Sequence, residues 1–342
     1  MIDRKHASFI LPVLLLGMAG VCRADSVFGV AGAYNLVALG YGSTLGTISD
    51  NSDVGGRIAA AYQVLNAPEV GQSLVNDPYA SDAGGYLMVA QSGVSGTNHT
   101  NVQANGNIYA PGASGSQFNF NYGGSLVTTG SSPINFSSLK STLDADSLAL
   151  GAYLPTGQVL TSGQPGFPSG ANPSWVVLYG TSNAVNVFDI TAAQLASVNN
   201  PLDIVVPSGA TAIVNVAGTS DTLGGGIYVN GSQPSQTGDA GANILFNFDD
   251  ATSISLGSQF TASMLAPFAV VTGNSSIDGS IIAAQIADNG EVHNAEFTGQ
   301  LPAIAAVAPE PSGLLLLGSG MVFVASMALR KRRVEQVARS KD

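Results

Sequence analysis

From Ala251 to Pro302 large apolar residues recur at every second position. Ile254 and Leu256 are followed by Phe260, Ala262 and Met264, then Ala269 and Val271, then Ile277, Ile281 and Ala283. Gly, Ser, Asn, Asp and Pro separate the runs. Period-two alternation puts the bulky set on one face of a strand and the small polar set on the other. The breaks are too brief for helices, so successive strands must fold back as hairpins or wind as coils. A repeated piece favours coils. Gly279-Ser-Ile-Ile-Ala-Ala resembles Ser263-Met-Leu-Ala-Pro, Gly106-Asn-Ile-Tyr-Ala-Pro and Gly56-Arg-Ile-Ala-Ala. Each has a small residue, a bulky stretch and a tight alanine corner, as a solenoid coil requires. The expected fold is mainly β, a parallel β-helix with one or two short accessory helices; a β-sandwich is the alternative.

The same texture predicts a first strand among Phe28, Val30, Tyr34, Leu36 and Leu39, and later strands at Trp175–Tyr179, Val185–Ile190, Ala212–Val216 and Ile244–Phe248. It breaks at residues 136–165. There Leu139, Leu143, Asp146 and Leu150 share a helical spacing, with Asn135 or Ser137 as the cap. This helix is expected to lie against the solenoid or close one end. Thr191–Val198 predicts a second short helix capped by Thr191, and Ser162–Pro173 a loop.

Composition supports a folded chain of turns and small side chains: 42 glycines, 10% charged residues and 45% hydrophobic ones in 342 residues. The formal charge is −11. Between Asp25 and Ala308 the only cations are Arg57 and Lys140, against eighteen carboxylates. Such a surface repels phosphate backbones and excludes nucleic acid as a partner. The one cysteine, Cys22, falls in an N-terminal segment with a basic start (Arg4, Lys5), an apolar run (Phe9–Val21) and a small-x-small cleavage pattern ending at Ala24. Residues 1–24 are therefore expected to be a signal peptide, 25–308 one exported β domain, and 309–333 a sorting and anchor segment before a cytoplasmic tail at 334–342. Gly313–Leu329 is a 17-residue uncharged run, at the short end for a membrane helix, and Arg330, Lys331, Arg332 and Arg333 follow it as a stop-transfer cluster.

Catalytic signatures are sparse. Gly40-Tyr-Gly-Ser-Thr-Leu-Gly misses the dinucleotide spacing by one residue, and neither a nucleophile elbow nor a phosphate loop is present. Arg57 is expected to be tied to Asp50 or Asp53 as a structural pair at a coil corner. Asp50, Asn51 and Asp53 offer three oxygens in one turn, the only calcium candidate. His293, within Glu291-Val-His-Asn, is expected to be a hydrogen-bonded structural residue closing the last coil rather than an acid, base or ligand. For a glycan-active enzyme the carboxylate pairs by residue type are Asp249/Asp250 and Asp144/Asp146. Neighbours in a strand point apart, so the first pair is expected not to converge, and the second to be a solvated helix flank. The sequence suggests no ladder of Thr along the coils, which ice or crystal binding would want.

Two resemblances extend this reading. Pro309, Glu310 and Pro311, the apolar run and the Arg330–Arg333 cluster resemble, in that order, the PEP-CTERM sorting signal of Gram-negative bacteria. The resemblance implies an exosortase-type sorting enzyme as partner, the inner membrane before processing, and the cell surface or exopolysaccharide matrix afterwards. The body is similar to the choice-of-anchor A domain, an adhesive domain of bacterial surface proteins. Tyr34-Asn, Asn51-Ser-Asp-Val-Gly-Gly-Arg-Ile-Ala, Asn105-Gly-Asn-Ile-Tyr, Gly225-Gly-Ile-Tyr-Val-Asn-Gly, Ile244-Leu-Phe-Asn-Phe and Gly290-Glu-Val-His-Asn-Ala-Glu-Phe-Thr-Gly carry that likeness. It implies an adhesin or biofilm matrix component with no catalytic residues and no cofactor. The rivals are an extracellular glycan-active enzyme and an ice- or crystal-binding solenoid.

Overall fold

A computed structural model describes residues 27–75, 82–96, 99–197, 201–234 and 241–302. Residues 1–26, where a signal peptide is expected, and everything from residue 303, including Pro309–Pro311 and Arg330–Arg333, lie outside the described residues. The described chain is a parallel β-helix whose coils contribute strands to three faces.

The first face stacks Leu36–Ala38, Ile58–Ala60, Tyr86–Ala90, Asn107–Tyr109 and Leu126–Val127 in one direction from the start of the chain. On the other side of Leu36–Ala38 stand Ile281–Asp288, Ser263–Gly273, Ile244–Asn247, Thr211–Ala217 and Val185–Thr191. The chain thus begins mid-stack, winds out to one end, crosses to the other end and winds back. Its last coil pairs with its first, Leu36 opposite Ile281 and Ala38 opposite Ala283. Asn35 locks this seam: it accepts Arg57 N at 3.2 Å and donates to the His293 and Gly279 carbonyls at 3.3 and 3.4 Å. A Cβ on Gly56 would lie 1.5 Å from Asn35 Oδ1, so only glycine lets the clamp close.

The repeated pieces found in the sequence fall in register. Ile108, Met88, Ile58, Leu36, Ile281, Met264, Phe246, Val214 and Phe188 form one inward column across nine coils, and each is at most 1% exposed. Each rung covers the next at the strand spacing of about 4.8 Å, which is how short strands with few local contacts obtain a continuous core.

The outward set of the first face departs from the simple alternation. Val37, Ala59, Val89, Ile282, Leu265 and Leu245 are also fully buried, matching the unbroken run Ile281–Ala284. Strands covered on both sides lose their polar alternation. Helix α1, Phe136–Gly151, packs on Ser263–Gly273 and Ile244–Asn247. Asn135 caps it by accepting Ser138 N at 3.1 Å, and Phe136, Leu139, Leu143, Ser147 and Leu150 face the sheet. Asp146, expected on that face, is displaced from it by Ser147. Ser147 Oγ donates to Asn247 Oδ1 at 2.7 Å, while Asn247 Nδ2 donates to the Ser147 carbonyl and to Asn215 Oδ1, both at 3.0 Å. Asn215 Nδ2 reaches the Leu150 carbonyl at 3.0 Å. This buried chain satisfies every partner and fixes the helix on the sheet. Helix α2, Ala192–Leu195, has the expected Thr191 cap in a reciprocal box with Gln194. At the start of the chain Gly29–Ala33 is a 3-10 turn, so the expected first strand shortens to Leu36–Ala38.

Candidate functional site

The second face is built from Ser220–Leu223, Ser253–Leu256, the distal halves of Ser263–Gly273 and Ile281–Asp288, and Ile48–Asp50. Ile254, Val271, Ile286 and Ile48 point inward. The outward positions form two rows in register. One runs Thr222, Ser255, Thr272, Ala287, Ser49, and the other Ser220, Ser253, Val270, Gln285. Thr222, Ser255, Thr272, Ser220 and Ser253 are exposed, and none of the nine is ionisable. Neighbours along a row sit about 4.8 Å apart, and the rows are about 6.7 Å apart along the strands. Thr272 Oγ1 donates to the Ile254 carbonyl at 3.3 Å. The hydroxyls of Thr222, Ser255, Ser220 and Ser253 take no protein partner among the described residues. The result is a neutral strip on the order of 20 Å long, whose exposed hydroxyls cover its three outer rungs.

This ladder was not legible in the sequence. Its members come from coils tens to hundreds of residues apart, and it mixes Ser with Thr, so a search for Thr at a constant interval misses it. The rows hold two threonines, Thr222 and Thr272, separated by Ser255, so the register reveals a mixed Ser/Thr row rather than the Thr ladder weighed in the sequence.

The third face has opposite character. Its outward positions include Glu291, Asp53, Glu69, Asn101 and Asn119 on successive rungs. These side chains bond to one another: Gln103 to Glu69 at 2.6 Å, Asn121 to Gln103 at 3.0 Å and Asn119 to Asn101 at 3.2 Å. His293 sits here with Nδ1 on Asp278 Oδ1 and Nε2 3.4 Å from Glu291 Oε1. Its coil is last in sequence but lies at the seam, next to the strand Asp53–Val54.

The calcium candidates diverge. Asp50 points into the solenoid and is fully buried, with Oδ1 accepting Ser52 N at 2.8 Å. Asn51 points outward at the corner, in an amide ladder Asn66–Asn51–Asn289–Asn274 that crosses the seam. Asp53 belongs to the third face. One turn of a coil distributes three neighbours to three surroundings, so sequence proximity does not become a ligand cage, and among the described residues no cluster of three metal-type ligands forms. Arg57 is likewise corrected: it is 1% exposed and its Nη1 lies 3.6 Å from Glu296 Oε1 rather than on Asp50 or Asp53. Coil stacking brings the segment after His293 alongside it.

Burial pushes Asp50 up to about 8, with Asp288 and Asp53 adding to the rise and the Ser52 N–H opposing it. Asp288, opposite Asp50 in register, is raised to about 6 by burial. Asp221, 2% exposed, is raised to about 6 by burial and then by Asp250.

The carboxylates weighed for glycan chemistry behave differently from expectation. Asp144, Asp249 and Asp250 line one open cleft of about 470 Å³, together with Tyr41, Leu148, Thr252 and Phe268. Asp249 and Asp250 lie in the bend after Ile244–Asn247, not within a strand, so alternation does not separate them. Asp146 does not line the cleft.

A family model described as a putative ice-binding-like adhesive domain matches residues 27–294. The chain belongs to the ice-binding-like adhesive domain family. The match spans the coils on both sides of the seam, so this family domain is the whole β-helix up to the strand Val292–His293. No curated protein matches. Among solved structures, an ice-binding protein from an Antarctic biological consortium is 12% identical and covers 79% of this chain and 89% of its own, with a TM-score of 0.35. An ice-binding protein from the Antarctic ascomycete Antarctomyces psychrotrophicus covers 79% and 97% at 12% identity and a TM-score of 0.29. A Shewanella frigidimarina ice-binding protein domain covers 80% and 97% at 12% identity and a TM-score of 0.32.

Proposed function

We propose that this ice-binding-like adhesive domain is an exported, non-catalytic adhesin or matrix component that docks its second face on an extended, repetitive surface. The observation that carries the reading is the pair of in-register rows of small uncharged side chains. Each contact is weak, but a rigid row presents many at once to a periodic partner, and multivalency then supplies avidity. Desolvating a hydroxyl strip costs far less than desolvating the charged third face. An exopolysaccharide of the cell's own matrix is the partner we favour. In this reading the PEP-CTERM-like tail, Pro309–Arg333, delivers the domain: an exosortase-type enzyme recognises Pro309-Glu-Pro311 after export.

Adsorption of the full-length chain to exopolysaccharide and matrix-protein surfaces, with wild type against Thr222→Tyr/Ser255→Tyr, tests the reading. The variant is expected to lose at least tenfold in retained protein with an unchanged melting temperature. Equal retention would sink it. A second reading, binding of ice, is favoured by the regular hydroxyl spacing, which can order a layer of water. Inhibition of ice recrystallisation by wild type and not by the same variant would select it.

A further inference from the structure

The cleft beside α1 carries chemistry that the second face lacks. Gly40 and Gly42, both at positive φ, flank Tyr41 and hold its ring outward, 46% exposed. Tyr41 and Phe268 meet edge to face with centroids 4.9 Å apart. Over them sits the ammonium of Lys140, 4.9 Å from the Tyr41 centroid and 5.7 Å from that of Phe268, and 2.5 Å from Asp144 Oδ2. Ring faces and a carboxylate are the elements of an ammonium cage, and here the chain's own lysine occupies it.

The cleft extends past Leu148 towards the C-terminal end of α1. From Asp144, the first helical residue of its lining, to Gly151 is about 10 Å at helical rise. At that far end Asp249 packs against Gly151, where an added Cβ would lie 1.9 Å from Asp249 Oδ2. A carboxylate beside the carbonyl end of a helix is electrostatically unfavourable, and burial raises the pKa of Asp249 further. Asp250 lies alongside, its Oδ1 accepting Gly218 N at 3.2 Å. Among the described residues Lys140 is the only cation bordering the cleft, and it is engaged with Asp144 at the aromatic end. With Asp144 paired to Lys140, two carboxylates, Asp249 and Asp250, and a helix C-terminus leave the far end demanding a cation. Its length and volume exceed what a single ammonium needs, and they suit a short run of rings. Exposed Tyr41 and Leu148 offer apolar faces to such rings, and the Thr252 hydroxyl and carboxylates accept from hydroxyl and ammonium groups.

The geometry points to this cleft as a binding site for a glycan bearing free amino groups, a run of deacetylated hexosamine units. The site borders the second face at Thr252 but does not depend on it. The test is calorimetric titration of the full-length chain, held in non-ionic detergent, with a β-1,4-linked glucosamine tetramer and with its fully N-acetylated counterpart. The deacetylated tetramer is expected to bind at least tenfold tighter. Asp249→Asn/Asp250→Asn, which keeps an acceptor for Gly218, should weaken it at least tenfold, and Tyr41→Ala several-fold. Lys140→Gln should strengthen it, because the resident ammonium no longer competes. Thr222→Tyr/Ser255→Tyr should leave it unchanged, so loss of the second-face reading and loss of this one are separable. Unaltered melting temperatures establish that the variants fold. Equal affinity for both tetramers, no binding to folded wild type, or binding that survives Asp249→Asn/Asp250→Asn as mere attraction to an acidic protein would each overturn the proposal. So would release of reducing ends, which would make the carboxylates catalytic.

Discussion

Replacing Asp50 by asparagine tests the interior of the solenoid directly. Asp50 is fully buried at the seam, in register with Asp288, and its carboxyl titrates near 8 instead of 3.8. A carboxyl whose folded pKa is raised favours the folded chain only while protonated. Its contribution is therefore complete below the unfolded value of about 4 and is lost as pH climbs through the folded value of about 8. Between pH 5 and 7 the unfolded chain is ionised at this residue and the folded chain is not, so each unit costs about 1.4 kcal/mol and the interval about 3 kcal/mol. For a domain of this size that corresponds to roughly 5–10 °C in melting temperature. Asparagine keeps an acceptor for Ser52 N and cannot ionise. Thermal melts followed by circular dichroism at pH 5, 6, 7 and 8 should show wild type losing stability towards neutral pH. The Asp50→Asn variant should follow a shallower slope, the remainder coming from Asp288 and Asp221. A wild type that gains stability from pH 5 to 7, or a variant running parallel to it, would refute the reasoning.

Other perturbations have equally definite outcomes. Gly56→Ala drives a methyl into Asn35 and should cost at least about 3 kcal/mol in denaturant unfolding, through opening of the seam. Asn247→Leu strands Asn215 and Ser147 beneath α1 and should cost about 2–4 kcal/mol, with Ser147→Ala milder. Chelation with EDTA should leave the melting temperature unchanged, because Asp50, Asn51 and Asp53 point in three directions; a fall of several degrees would reveal a metal.

The coil motif was legible because it is local. Ile58, Ile108, Met264 and Ile281 each stand in the same short phrase, and strand period and small-residue corners determine that they stack. The caps Asn135 and Thr191 were legible for the same reason. Stack order was not, since nothing near Leu36 in sequence announces that its neighbour on one side is Ile281. From stack order follow the misplaced partner of Arg57 and the unseen Ser/Thr rows. Each joins residues that only the register brings together. The burial of both sides of the first face was half visible in the run Ile281–Ala284, which lacks the polar alternation found at Ser253–Leu256.

The seam has a consequence for biosynthesis. The rung that Leu36–Ala38 needs as its neighbour is made some 245 residues later, the separation between Leu36 and Ile281. Contacts that distant close slowly. Until those residues are made the first coil lacks one wall, and completion waits for the final coil to arrive. A chain still in synthesis therefore stays an open thread and becomes a finished object only when its end returns to its beginning.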